Sequence, residues 1–199
     1  MMYYSASMNT LDESLMNAVK EGKLLESSRT NIRLLLDGTE SPIAREAVEE
    51  LAAAGEWQEL NDRFYKTLAF GTGGLRGRTI GSIVTRAEQG NGGVNGRPEY
   101  PCVGTACMNY FNVGRAMRGL IIYVNKHVEA TDPGRKPRLV IGHDTRHFSR
   151  DFAEFCAKIG TDLGCDIYLF DSPRATPEIS FAIRELHADS GVVLTASHN

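Results

Sequence analysis

Arg138 to Asn199 reads RLVIGHDTRHFSRDFAEFCAKIGTDLGCDIYLFDSPRATPEISFAIRELHADSGVVLTASHN, an alternation of short apolar runs with amphipathic stretches. Leu139-Val140-Ile141 reads as a strand. Ser149 is placed to cap a helix whose stripe is Phe152, Phe155, Cys156, Ile159 and Leu163 and which Gly164 ends. Asp166 to Phe170 follows as a second strand, Thr176-Pro177 opens a helix through Ile179, Ala182, Ile183 and Leu186, and Gly191 to Thr195 is a third strand. Two successive βαβ units require parallel strands, right-handed crossovers and helices on both faces. The expected fold class is therefore α/β, a three-layer α/β/α sandwich with a mixed, mostly parallel sheet.

Upstream, the spacing is helical. Asn109 to His127 carries Val113, Met117, Leu120, Ile121 and Val124 on one face, and Thr131 to Pro137 connects it to the first strand. The first 70 residues predict a helical N-terminal extension on the sandwich. Thr10 and Glu13 have capping-box spacing before Leu11, Leu15 and Val19. Ser41-Pro42 offers an N-cap and an N1 proline to a helix with Ile43, Ala47, Val48 and Leu51 inside, and Gly55 stops it. Trp57, Leu60, Phe64 and Leu68 mark the next helix. Between Phe70 and Val103 the texture turns to glycine, asparagine and proline, and Gly81 to Pro101 reads as a long surface loop.

Composition narrows the function classes. The 199 residues hold 22 Lys and Arg against 25 Asp and Glu, a net charge of −3, which gives no general attraction to nucleic acid. Mean hydropathy is −0.26 and no apolar run is long enough for a bilayer, so neither a membrane partner nor a signal peptide is expected and the expected location is cytoplasmic. Cys102, Cys107, Cys156 and Cys165 form no CxxC pair and read as buried free thiols. His127 and His187 fall in helical segments without ligand-spaced partners and read as surface or packing residues.

Three constellations could carry chemistry. Thr195-Ala196-Ser197-His198-Asn199 leaves the last strand at its carboxyl end, where open α/β sheets bind ligands. Ser197 is either a substrate-facing hydroxyl or the N-cap of a polar turn. His198, its immediate neighbour, is badly placed to deprotonate it, and no GxSxG surrounds the pair, which argues against a serine hydrolase. Phe70 to Gly77, FGTGGLRG, could cradle a phosphate between glycine amides and the Arg76 fork, or be a flexible turn. It matches neither a P-loop nor GxGxxG. Gly142 to Arg146, GHDTR, follows a strand; there Asp144 and Arg146 fit a brace between loops better than a phosphate site.

Together FGTGGLRG, GHDTR, Thr176-Pro177 and GVVLTASHN (Gly191 to Asn199) resemble the α-D-phosphohexomutase superfamily of phosphoglucomutases and phosphomannomutases. The resemblance runs from Trp57 to the end, and the helical preface looks like the larger phosphoglucomutase and phosphopentomutase-like branch. It implies a helical extension over 1–69 and domain I of that family over 70–199, incomplete at its C-terminus. By this resemblance Ser197 carries the transferable phosphoryl group, His198 and Asn199 complete its loop, and Arg76 approaches the phosphoserine. Ser197, Arg76 and His198 would be catalytic; Gly73, Gly74, Arg76 and Asn199 would bind phosphate; Asp144 and Arg146 would support. The implied cofactors are Mg²⁺ and a sugar 1,6-bisphosphate as activator and intermediate, and the implied partner is a phosphosugar substrate, with no nucleic acid and no membrane.

A phosphoserine carries about −1.5 to −2 charge, so cationic compensation around it is a physical requirement. The implied metal would meet Ser197 through its phosphate, with aspartate ligands lying beyond Asn199 in a D-x-D-x-D-R loop. The family's following lysine, metal loop, sugar-discriminating loop and phosphate-binding domain would also lie there, so the 199 residues are expected to be inactive alone. Ser82 to Val103 exceeds the family's usual connection and reads as an inert surface insertion rather than a lid. Glucose is the expected sugar, with mannose, glucosamine and pentose phosphates left open and the oligomeric state unread. The competing reading is a non-catalytic phosphosugar-sensing or protein-binding fragment of a mutase domain.

Overall fold

Helical periodicity in the first half and strand–helix alternation in the second produce two compact units, residues 1–109 and 110–199, in a computed structural model that describes residues 3–71 and 73–196. In the first unit, α1 (Tyr3–Lys20), α2 (Glu26–Asp37), α3 (Pro42–Ala53) and α4 (Trp57–Phe64) share a core of Leu11, Leu15, Ile32, Leu35, Ala47, Val48, Leu51, Leu60 and Phe64. Each fully buried Leu or Phe contributes about 1.5–3 kcal/mol. Ser41 and Pro42 occupy the N-cap and first-turn positions expected of them, and Gly55 stops α3 with φ +74°. Thr10, by contrast, lies inside α1, because extending a formed helix costs far less than starting one and nothing in Tyr3 to Asn9 breaks it. α4 ends at Phe64, whose carbonyl accepts from Asn31 Nδ2 at 2.7 Å; Leu68 falls outside the helix and its amide donates to Thr105 O at 2.9 Å.

The expected surface loop over 81–101 is also corrected. It holds a one-turn helix, α5 (Arg86–Gln89), whose Thr85 and Glu88 form a reciprocal capping box, and both of these residues are buried. The reason lies outside the segment. Arg63 of α4, fully buried, bonds Glu59 Oε1 through Nε at 2.8 Å and Glu88 Oε1 through Nη1 at 2.6 Å. Glu88 further accepts from the amides of Thr85 at 3.0 Å and Val103 at 2.7 Å. The 82–103 segment therefore supplies a counter-ion to the interior of its unit and is not an inert insertion.

The second unit begins with α6 (Tyr110–Thr131), one turn longer than the spacing predicts because Val128 continues the buried stripe. It continues through β1 (Arg138–His143), α7 (Ser149–Asp162), β2 (Asp166–Leu169), α8 (Thr176–Glu185) and β3 (Ser190–Leu194). The strands are parallel in the order β2-β1-β3, with Leu139 opposite Ile167 and Val140 opposite Gly191. The pleat sorts the layers. Val140, Val193 and Phe170 meet Ile179 and Ala182 of α8, whereas Ile167 faces Gly160 of α7 and the neighbouring Met117 of α6. Gly191 allows α8 to approach, since a Cβ there would lie 2.5 Å from Ile183 Cδ1. Tyr110 stands edge-on to Phe152 at 5.3 Å and to Phe155 at 5.1 Å, joining α6 to α7.

The α/β sandwich with a helical N-terminal region is thus present, with two local corrections in this unit. Ser149 is the first residue of α7 and not its cap; the cap position belongs to Phe148 at φ +67°, and the Ser149 hydroxyl is engaged elsewhere. His187 lies beyond α8 with φ +49°, in a turn rather than a helix. At the amino ends of the strands, Arg135 grips Asp189 through Nη2 at 2.6 Å and Nη1 at 3.0 Å, and Arg138 N adds 2.8 Å to the same carboxylate. That end of the sheet is closed by an ion pair, leaving the carboxyl ends for the loops.

Candidate active site

At the carboxyl end of β1 the backbone turns away through His143-Asp144-Thr145-Arg146, beside the end of β3. Asp144 ties the two. Its amide donates to Leu194 O at 3.0 Å and its Oδ2 accepts from Ala196 N at 3.2 Å. Its Oδ1 accepts from Arg146 N at 2.9 Å and Ser149 Oγ at 2.5 Å, which is the bond that draws Ser149 out of a capping role. Arg146 returns the tie, its Nη1 donating to Ala196 O at 3.2 Å while its Nε stands 3.8 Å from Asp144 Oδ2. Ala196, the residue before Ser197 in the sequence, is therefore held through both its backbone N–H and its carbonyl.

Burial acts to raise the Asp144 carboxyl, but bonds from Ser149 and from the amides of Arg146 and Ala196 outweigh it and hold the group below the ordinary carboxylate range. Because the folded value is depressed, the stabilisation is complete above the ordinary value and is lost as pH falls through the lowered one. Acidification should accordingly release protection of the Arg146 and Ala196 amides before the β1–β2 ladder, as hydrogen exchange by NMR can follow. Asp144→Asn sets an NH₂ group against one of these donors, and a loss of about 1.5–3 kcal/mol is expected in denaturant unfolding of this unit. An unchanged midpoint would show that the clamp contributes nothing.

His143 lies at the same strand end, 3% exposed, with Nδ1 2.9 Å from Asp144 O and no hydrogen bond partner for Nε2 among the described residues. Its carbonyl accepts from Arg174 N at 3.0 Å, joining the loop before α8 to the same edge. The sequence offers Ser149 only as a helix cap and His143 only as a member of GHDTR without a role of its own, because only the tertiary fold shows which atoms of a strand-end loop converge. Ser197, His198 and Asn199 lie outside the described residues.

The glycine loop belongs to the first unit. Gly71 and Gly74 exchange backbone bonds, Gly71 N to Gly74 O at 3.0 Å and the reverse at 3.4 Å, and Gly73 sits at φ +76°, a region costly for any side chain. Arg76 and Phe70 are exposed, Phe70 at 76%. The loop is rooted just beyond them. Arg78 O accepts from Met108 N at 3.0 Å, Thr79 O accepts from Cys102 N at 2.8 Å, and Arg78 Nη2 stands 3.0 Å from Glu59 Oε1. At Gly77 a Cβ would lie 2.9 Å from both Ala106 O and Met108 N, backbone atoms that cannot swing aside. Gly77→Ala should therefore lower the stability of this unit by about 1–3 kcal/mol, seen as a reduced urea midpoint; Gly74→Ala, with nothing within 4 Å of its Cβ, is the control expected to leave the midpoint unmoved.

Residues 86–199 match the family model described as phosphoglucomutase/phosphomannomutase, alpha/beta/alpha domain I. The chain belongs to that family. Phosphoglucomutase of Staphylococcus epidermidis (strain ATCC 12228 / FDA PCI 1200) is 34% identical over 142 residues, 71% of this chain and 21% of that protein. Phosphoglucomutase of Staphylococcus aureus (strain bovine RF122 / ET3-1) is 32% identical over 141 residues, 71% of this chain and 20% of that protein. The chain thus spans about a fifth of the length of these curated relatives. No solved structure matches it. The family match contains Asp144, Arg146 and the β3 end, while Gly73, Gly74 and Arg76 precede it.

Among the described residues no three His, Cys, Asp or Glu side chains converge as a metal site, and no described helix is long and apolar enough to cross a membrane. The described residues do not fit Mg²⁺ by themselves.

Proposed function

We propose that this chain is the N-terminal part of a phosphosugar mutase, with a helical extension over 1–69 and domain I over 70–199. In this reading it interconverts a sugar 1-phosphate and a sugar 6-phosphate, with glucose as the sugar, through a phosphoserine at Ser197 and a sugar 1,6-bisphosphate. The observation that supports it most is the double hold on Ala196 by Asp144 and Arg146, which anchors the residue preceding Ser197 on both its N–H and its carbonyl. Phosphoryl transfer depends on positioning and charge stabilisation more than on covalent chemistry by other groups, so a rigid stem for the acceptor oxygen is the feature such a site needs.

Each residue then has a chemical task. Ser197 Oγ receives the phosphoryl group from the bisphosphate and passes it to the other sugar oxygen. Arg76 offers its guanidinium fork, and Gly73 and Gly74 their amides, to phosphate oxygens. His198 and Asn199 add donors beside the ester, and Asp144 and Arg146 position the stem without touching the sugar. Mg²⁺ would be held through the Ser197 phosphate together with carboxylates beyond residue 199, and would supply further neutralisation of the transferring group. Phosphosugar is the small-molecule partner, and the reaction belongs to the cytoplasm.

The test is stoichiometric. Full-length protein incubated with glucose 1,6-bisphosphate should gain the mass of one phosphoryl group, mapped to Ser197 by peptide sequencing and removed by glucose 6-phosphate. Uptake at another residue, or none under turnover conditions, would overturn the reading.

A further inference from the structure

The four cysteines are free and buried, and they differ in what surrounds them. Cys156 in α7 is isolated, and burial pushes its thiol up to about 12. Cys165 is raised by burial and by Asp166 and Asp189. Neither has the makings of a nucleophile.

Cys102 and Cys107 are another matter. Their sulfurs stand 3.1 Å apart. The turn between them is held shut by Asn109, whose Nδ2 donates to Cys102 O at 2.9 Å and to Gly104 O at 2.8 Å. A disulfide bond is about 2.05 Å long, so roughly 1 Å of side-chain rotation closes the pair. Two guanidiniums flank it. Cys102 donation, then Arg63 and Arg78 against the cost of burial, hold the Cys107 thiol below its ordinary value, while Cys102, whose proton is shared with Cys107, is raised. Both cysteines are buried, and beside them Arg78, whose side chain is 31% exposed, and the half-exposed Ala106 and Met108 reach solvent.

We propose that Cys102 and Cys107 form a redox modification site, in which a hydroperoxide converts the adjacent thiols into an intrachain disulfide at the root of the glycine loop. The thiolate of Cys107 attacks one peroxide oxygen; the O–O bond breaks, the other oxygen leaves as hydroxide and is protonated to water, and Cys107 becomes a sulfenic acid. The Cys102 sulfur then attacks the Cys107 sulfur. The S–S bond forms, the S–O bond breaks, and hydroxide leaves with the Cys102 proton as a second water. Two thiols and one hydrogen peroxide thus give one disulfide and two waters, with two electrons passing from sulfur to oxygen. The bond would lie between two contacts that root the loop, Cys102 N to Thr79 O and Met108 N to Arg78 O. This chemistry is independent of the phosphoryl-transfer reading.

Reduced protein treated with hydrogen peroxide, quenched in acid, denatured and alkylated tests it by peptide mapping. Cys102 and Cys107 should lose alkylation together, at least about ten-fold faster than Cys156 and Cys165, with one peptide that has lost two hydrogens and is restored by dithiothreitol. In Cys102→Ser a dimedone adduct should accumulate on Cys107; in Cys107→Ser the Cys102 thiol should survive the same dose. The wild-type map stands on its own if either variant fails to fold. Equal oxidation rates at all four cysteines, a disulfide between chains, or dimedone trapping on Cys102 in place of Cys107 would overturn the proposal.

Discussion

Arg63→Ala should cost the first unit about 3–5 kcal/mol, because it strands Glu88 and leaves Glu59 with Arg78 alone in an interior that excludes water from both carboxylates. Removing one partner of a buried ion pair is far more damaging than exchanging the whole set for neutral groups, since the remaining charge keeps its desolvation cost and loses its attraction. Arg63→Met combined with Glu88→Gln should therefore recover part of the loss. The protein has one tryptophan, Trp57, in the same helix as Arg63, so its fluorescence in a urea titration reports this unit. A loss under about 1 kcal/mol would mean the network is solvated in a way its burial contradicts.

The pH dependence has a defined sign. For Glu59, burial raises the carboxyl, but Arg63 and Arg78 together outweigh it and leave it below its ordinary value. The wild-type unit should hold this contribution above the ordinary carboxylate range and lose it as pH falls through the lowered folded value. Arg63→Ala inverts part of that behaviour. With the Arg63 guanidinium gone, Glu59 keeps only Arg78 against its burial and protonating it costs less, so the stability gap between variant and wild type should narrow on acidification. A gap that widens would point to a structural defect other than unpaired charge.

Ser197→Ala is the larger test of function. In the full-length protein it should lower kcat by about 10⁴-fold or more, the scale on which removal of a covalent nucleophile is felt, with little change in KM for the sugar phosphate. Phosphoryl uptake from the bisphosphate should vanish with it. Retained turnover would exclude a phosphoserine at this position whatever the family. Asp144→Asn is the complementary variant: as a positioning change it should lower kcat while leaving a phosphorylatable serine, a split that loss of the nucleophile cannot produce.

The α/β layout was legible because short continuous apolar runs and stripes of period 3.6 survive in any single sequence, and Gly164 and Pro177 punctuate them. The bracing by Asp144 and Arg146 was legible in Gly142 to Arg146, whereas phosphate binding by Phe70 to Gly77 belongs to the proposed function. The 82–103 segment was not. Its glycines and asparagines look like a surface loop, and the Thr85-x-x-Glu88 spacing was the one local trace of a helix start. What buries Glu88 is Arg63, 25 residues earlier, and a pairing at that distance leaves no periodic mark.

Ser149 illustrates the same divide at short range. A serine at a helix start reads as a cap, yet its hydroxyl reaches Asp144, a choice set by where β1 releases the chain and not by local propensity.

By itself the sequence determined the succession of helices and strands, the parallel sense of the sheet and the residue types available at each strand end, because these follow from the spacing of apolar side chains and from backbone chemistry local to each residue. Only the tertiary structure decided that Asp144 and Arg146 hold Ala196 from both sides, that Arg63 draws Glu88 into the interior, and that two cysteine sulfurs meet at 3.1 Å. Such contacts join residues far apart in the chain or fix the direction of a side chain, and their energies depend on burial and distance, which exist only once the chain has folded.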